Sequence, residues 1–167
     1  MHVYTGDGKG KTTAAIGLAV RCAGAGGKVF IGQFVKGMHY AELDALRVFS
    51  DSITVEQFGR GCFIVKEPQP ADYQAARQGL ERCAGILKEG RHDLVVLDEA
   101  NIAVYFGLFS EQELIDAIKG RSRHVEVVVT GRKAPERLLE LADLVTEMRE
   151  VKHYYTKGVQ ARSGVEK

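Results

Sequence analysis

The run Thr5-Gly6-Asp7-Gly8-Lys9-Gly10-Lys11-Thr12 interleaves glycines with lysines and closes on a hydroxyl, the make-up of a loop that grips phosphate. Glycine lacks a Cβ, so backbone N–H groups can converge on anionic oxygens, and a helix that follows points its positive end at the same place. Lys11 adds a mobile point charge, and the Thr12 hydroxyl suits a magnesium ion, or manganese, carried by the phosphates. The candidate nucleotide contacts are Thr5, Gly6, Asp7, Gly8, Lys9, Gly10, Lys11, Thr12 and Thr13. One departure stands out: the pattern G-x-x-x-x-G-K-[ST] wants glycine where this chain has Thr5. A plain glycine-rich turn capping a helix is the competing account, and Gly-Lys-Thr-Thr at a strand-to-helix junction argues against it.

A second constellation is Leu94-Val95-Val96-Leu97-Asp98-Glu99, four apolar residues followed by two carboxylates. An acidic group at the end of such a strand can hold Mg²⁺ directly or through water, opposite the loop hydroxyl. Many strands end in acidic turns, so the pair gains meaning only beside the phosphate loop. Gln33 and Lys36 after one apolar run, and Thr130-Gly131-Arg132-Lys133 after another, would face the same crevice. Ordinary solvated surface charge is the plainer account of Lys36, Arg132 and Lys133.

These groups need a scaffold that brings the ends of several strands together. Val3-Tyr4, Lys28 to Phe34, Ile53 to Phe58, Leu94 to Leu97, Val125 to Thr130 and Leu144 to Met148 read as strands, the central ones almost wholly apolar. Thr13 to Ala23 is an alanine-rich helix; Tyr73, Ala76, Leu80, Cys83, Ala84 and Leu87 recur at helical spacing, with Cys83 inward. Ser110 and Glu113 make a capping box for a helix that Gly120 closes, and Pro135 suits the first turn of another through Leu138, Leu139 and Ala142. Alternating strands and helices predict a single-domain, three-layer α/β fold of the P-loop NTPase, RecA-like kind, a mostly parallel sheet with helices on both faces. In such sheets ligands bind beyond the carboxyl ends of the strands. The segment from His153 is polar and irregular.

Composition bounds the class. A chain of 167 residues can bury roughly 70% of its unfolded surface. With 23 basic and 22 acidic side chains there is no bias toward nucleic acid or membranes. No signal peptide or bilayer-length apolar run is present, and Cys22, Cys62 and Cys83 form no C-x-x-C pair, so a reduced cytoplasmic protein is expected. The five histidines lack zinc-ligand spacing.

The ordered set TGDGKGKTTAA (Thr5 to Ala15), QFVKG (Gln33 to Gly37), VLDE (Val96 to Glu99), TGR (Thr130 to Arg132), LAD (Leu141 to Asp143), Val151-Lys152-His153 and Gly158-Val159 resembles the P-loop ATP:corrinoid adenosyltransferase family. The missing first glycine of the loop is a trait of that family. The resemblance implies transfer of the adenosyl group of ATP to a Co(I) corrinoid, with triphosphate leaving. It implies ATP held reversed relative to ordinary P-loop enzymes, an external reduced flavoprotein or flavin as electron donor, and a homodimer. No side-chain nucleophile is needed, because Co(I) attacks the 5′ carbon. Lys11 and Lys9 become the catalytic cations, with the amides from Gly8 to Thr12; Arg132 joins the nucleotide contacts. Thr12 and Glu99 become the metal ligands, whereas strand-end logic alone favours Asp98, here given a supporting part. Phe58, Phe63 and Ile64, in the stretch relatives place against the corrinoid, with the run Val104-Tyr105-Phe106, would offer a dry face beneath it. Some relatives carry a segment before the first strand; this sequence begins almost at that strand.

Two other classes compete. A small phosphotransferase would use the same loop with Arg132 and Arg137 as clamps. A RecA-like regulatory ATPase would bind nucleotide to change shape, and Arg121, Arg123 and His124 would be its nucleic-acid patch.

Overall fold

A computed structural model describes residues 1–61 and 67–166. The chain alternates β1 (His2–Thr5), α1 (Lys11–Gly24), β2 (Val29–Phe34), α2 (Ala41–Leu46), β3 (Ile53–Phe58), α3 (Pro70–Glu89), β4 (Leu94–Asp98), α4 (Ala100–Tyr105), α5 (Glu111–Lys119), β5 (Glu126–Thr130), α6 (Glu136–Leu141) and β6 (Leu144–Glu147). A single 3-10 turn follows α2 at Arg47–Phe49, and another lies at Tyr154–Lys157. All strand pairs are parallel, in the order β3-β2-β4-β5-β1-β6, so the mostly parallel expectation becomes an entirely parallel sheet among the described residues.

Period-two alternation sorts the side chains into two cores. Val95, Leu97, Val127, Val129, Phe30 and Phe34 meet α3, α4 and α5 on one face, while Leu94, Val96, Val128, Val29 and Ile31 meet Ala15 and Ala19 of α1 on the other. Each fully buried Val, Leu or Phe contributes about 1.5–3 kcal/mol relative to exposure, so the two faces together clamp the sheet. Cys83 lies in the larger core, where burial pushes its thiol up to about 12. β5 lies between β1, which feeds the phosphate loop, and β4, which carries the acidic pair. All the strands therefore discharge their loops on one edge of the sheet.

The capping box forms as read: the Glu113 N–H donates to Ser110 Oγ at 3.2 Å, and the Ser110 N–H to Glu113 Oε2 at 2.7 Å. Gly120 ends α5 without leaving the right-handed region (φ −73). Pro135 differs from the expectation: at φ −65, ψ 148 it is the extended cap before α6, because its Glu136 neighbour takes the first helical place. The helices at Ala41–Leu46 and Ala100–Tyr105 were not legible, since six residues are too few to display a helical period.

Candidate active site

The phosphate loop joins β1 to α1. Gly6 and Gly10 sit at φ 91 and 119, in the left-handed region that favours glycine. A Cβ on Gly6 would lie 2.5 Å from the Met148 carbonyl oxygen, and one on Gly8 2.7 Å from it. The glycines thus let the loop nest against the chain leaving β6. The Gly8 N–H donates to that same carbonyl at 2.6 Å, so this amide is already engaged within the chain. Lys11 Nζ donates to the carbonyls of Gly6 and Gly8, both at 2.7 Å. Burial lowers its pKa, with Arg132 adding to the effect, against the pull of Glu99, Asp7 and Asp98.

Asp98, buried at the end of β4, is the hub of the crevice. Its Oδ1 accepts from Thr12 Oγ1 at 2.8 Å and Thr130 Oγ1 at 2.7 Å. Its Oδ2 accepts from Lys36 Nζ at 2.8 Å and Gln33 Nε2 at 3.2 Å. Those donors use all the acceptor positions a carboxylate has. Burial alone would push the Lys36 ammonium down, but Asp98, with Glu99 and Glu42, holds it above its ordinary value. Gln33 is steadied in turn by Gln57 Nε2 at 3.1 Å.

Glu99 behaves differently. Its N–H donates to Thr130 Oγ1 at 3.0 Å, which fixes the backbone, while its side chain lines the cavity and accepts no hydrogen bond among the described residues. Burial, then the neighbouring Asp98, raises its pKa; Lys36, Lys11 and Arg132 oppose this. Glu99 has φ 58, and among the described residues the other non-glycine positions at positive φ are Val35 (58) and Lys133 (57). These follow β4, β2 and β5 respectively, so backbone strain is gathered on the carboxyl edge around the loop.

The cavity encloses about 590 Å³ and is lined by Gly8 to Thr13, Lys36, Glu99 and Arg132, with Tyr40 and Glu42 on one side and His153 and Gly164 to Glu166 on another. Lys9 does not point at the loop. Its ammonium donates to the Val165 carbonyl at 2.6 Å, Glu166 Oε1 at 3.1 Å and the Tyr154 hydroxyl at 3.4 Å. Tyr154 and Arg162 also donate to Glu166, whose carboxyl is held well below its usual range by Arg162 first and then by Tyr154. Sequence reading missed this clasp; its members are scattered polar residues in a segment without periodicity.

The structure brings Lys11, Thr12, Thr13, Lys36, Glu99 and Arg132 to one cavity. Thr5 Oγ1 accepts from the Ala134 N–H at 3.4 Å, and Asp7 lies 4.0 Å from the Arg132 guanidinium. Phe58 sits at the end of β3 with its ring 5.6 Å from that of Phe34 and against Gly79, where a Cβ would come within 2.4 Å of it. Phe63 and Ile64 lie outside the described residues. Val104 packs on the larger core and Tyr105 is exposed, both on α4. Arg137 donates to Gln112 Oε1 at 2.7 Å on α5, so it is no clamp in the crevice. Arg121 is spent on the carbonyls of Ile118 and Val125, at the amino end of β5.

Magnesium takes hard oxygen donors, typically one or two carboxylates plus substrate phosphates. No three His, Cys, Asp or Glu side chains cluster among the described residues, so a divalent ion here would have few protein donors and would share them with phosphate oxygens when nucleotide is bound. The Thr12 hydroxyl and the unengaged Glu99 carboxylate fit that donor set; Asp98 is occupied by its own donors.

Comparison with known proteins gives one family. The family model described as ATP:corrinoid adenosyltransferase BtuR/CobO/CobP matches residues 1–166. A corrinoid adenosyltransferase of Pseudomonas aeruginosa is 36% identical over 165 residues, covering 98% of this chain and 81% of its own length. A corrinoid adenosyltransferase of Escherichia coli K12 is 34% identical over 164 residues, with 98% and 83% coverage. The corrinoid adenosyltransferase CobA of Salmonella typhimurium matches to the same extent, 34% over 164 residues with 98% and 83%.

Proposed function

The chain belongs to the ATP:corrinoid adenosyltransferase family, and from that premise we propose how its residues divide the work. The enzyme is a transferase that moves the 5′-deoxyadenosyl group of ATP to a Co(I) corrinoid. The electron pair on cobalt forms the new Co–C bond, the C5′–O bond breaks, and its pair departs with triphosphate, leaving adenosylcobalamin or an adenosylcobinamide-type product. The observation that carries this assignment of roles is the meeting of Lys11 and Thr12 with Glu99 in one cavity, beside a fully engaged Asp98.

The chemistry asks the protein to bind, align and absorb charge rather than to attack. Lys11 and the amides from Lys9 to Thr12 stabilise the negative charge that grows on the departing triphosphate. Arg132 steers the polyphosphate. Lys9 joins them once freed from Glu166. A magnesium ion held by Thr12 and Glu99 would neutralise part of the triphosphate charge. Phe58, with Phe63 and Ile64, is the candidate face for the corrinoid. The electron that makes Co(I) comes from an external reduced flavoprotein or flavin, the working unit is a homodimer, and a reducing cytoplasm suits the unpaired thiols of Cys22 and Cys83.

The test is to mix the protein with ATP, Mg²⁺ and chemically reduced cobalamin. A light-sensitive organocobalt product with one triphosphate per turnover is expected. ADP and a phosphorylated acceptor would instead mean a phosphotransferase, a reading already weakened by the engagement of Arg137 with Gln112.

A further inference from the structure

We propose that Lys36 is a positioning residue for the transfer: an internal cation that occupies Asp98 and so reserves Glu99 and the Thr12 hydroxyl for the divalent ion of the nucleotide. The inference rests on the reading of Glu99 as a metal ligand and adds the reason why its neighbour is not one. Lys36 Nζ stands 2.8 Å from Asp98 Oδ2 and 3.2 Å from Thr12 Oγ1, bridging the hydrogen-bonded pair that strand-end logic would have a metal join. The side chain is 7% exposed and Asp98 is 1% exposed. An ammonium there is not adventitious surface charge. It takes one lone pair of Thr12 and leaves the other, while Asp98 retains no acceptor position for an outside ligand.

The backbone holds Lys36 in this place at a cost. Val35, just before it, has φ 58, a strained conformation for a β-branched residue. The turn redirects the chain at the end of β2 so that the next side chain lies over the end of β4. Beyond it the chain is locked: a Cβ on Gly37 would lie 2.3 Å from the Gly59 carbonyl oxygen, one on Gly59 would lie 2.5 Å from the Lys36 backbone nitrogen, and the Gly37 N–H donates to the Gly61 carbonyl at 3.0 Å. Strain retained by such surroundings is a mark of a constrained functional position.

The probe is Mn²⁺ alone, titrated into the full-length protein with the free ion followed by electron paramagnetic resonance. Glu99→Gln in the otherwise unaltered protein tests the metal reading, and should weaken Mn²⁺ binding about tenfold or more, on the scale of losing a ligand's support. Lys36→Met should do the opposite, tightening Mn²⁺ binding about tenfold as Asp98 becomes available beside Glu99. The decisive arm is Lys36→Met/Glu99→Gln, which should keep Mn²⁺ binding that Glu99→Gln alone loses. Lys36→Arg should restore wild-type affinity. Lys36→Gln, which keeps an N–H toward Asp98, replaces the methionine variant should that one not fold. Unchanged Mn²⁺ affinity on removing the Lys36 charge, or loss of binding in the double variant, overturns the proposal. Binding unaffected by Glu99→Gln alone overturns the metal reading, while the gain on Lys36→Met still reports on Lys36.

Discussion

Two ionic clusters flank the same phosphate loop, and they are built on opposite terms. On one side Thr12, Lys36, Gln33 and Thr130 converge on Asp98, all of them buried except Thr12, which lies at the cavity wall. On the other, Lys9, Tyr154 and Arg162 converge on Glu166 at the surface, with Lys9 41% and Arg162 52% exposed. The inner cluster ties α1, β2 with the turn after it, and β5 to the end of β4, so every partner is pre-placed by packed secondary structure. The outer one ties the loop to a segment that has no strand and little helix. Charges with all hydrogen bonds satisfied in a low-dielectric interior are hard to separate, whereas exposed pairs are weak and screened by salt. The inner cluster therefore fixes geometry, and the outer one can release Lys9 at small cost when a polyphosphate offers better company.

The largest break in this contrast should come from Asp98→Ala, which strands a buried ammonium. Breaking a buried pair from one side costs about 3–5 kcal/mol, so calorimetry should show a large fall in Tm. A Tm no lower than that of Glu166→Gln would erase the distinction. Lys11→Ala, lying between the clusters, should lose at least about 2 kcal/mol of transition-state stabilisation, read as a drop in kcat/KM of roughly thirtyfold. Wild-type turnover in that variant would mean the loop does not hold the triphosphate. Glu99→Gln should raise the Mg²⁺ concentration for half-maximal turnover about tenfold and leave corrinoid affinity nearly unchanged. The reverse pattern would move Glu99 from the metal to the corrinoid.

The smallest effects belong to the outer cluster. Glu166→Gln should leave Tm almost unaltered, raise hydrogen exchange in residues 153–166 and make ATP binding more dependent on salt, because Lys9 no longer exchanges one anionic partner for another. The pH dependence has a definite sign. Glu166 is depressed below its ordinary range, so its contribution is present above the ordinary carboxyl pKa and is lost only as pH falls through the lower folded value. Lys9 is raised, chiefly by its bond to Glu166, so its contribution holds below the ordinary lysine pKa and is lost as pH rises past the raised one. Protection of the segment should therefore be flat between roughly pH 5 and pH 10, after correction for intrinsic exchange. A midpoint near neutrality would overturn the assignment of this protection to the Lys9–Glu166 contact.

How far the sequence reaches differs between the two clusters as well. Lys11, Thr12 and Asp98 were legible because each sits at a junction of strand and loop that period and glycine spacing mark out. Lys36 was placed at the right edge of the sheet, but nothing in its neighbours said that it would pair with Asp98, 62 positions away. The clasp on Lys9 was invisible: Glu166 is 157 positions distant, and no local pattern announces it. Gly6 and Gly8 were read as making room for phosphate, and they also make room for the chain at Met148.

What the chain determined alone is local: apolar runs that become buried strands, a capping box, a loop able to converge its amides on an anion, and a motif order that names the family. Tertiary structure decided which of two adjacent carboxylates is free. Successive residues at a strand end face different ways, so Asp98 enters a set of four donors drawn from three segments while Glu99, turned by its left-handed backbone, faces the cavity. That choice depends on the positions of donors brought in from β2, β5 and α1, and a linear pattern carries no information about partners that meet only when the sheet closes.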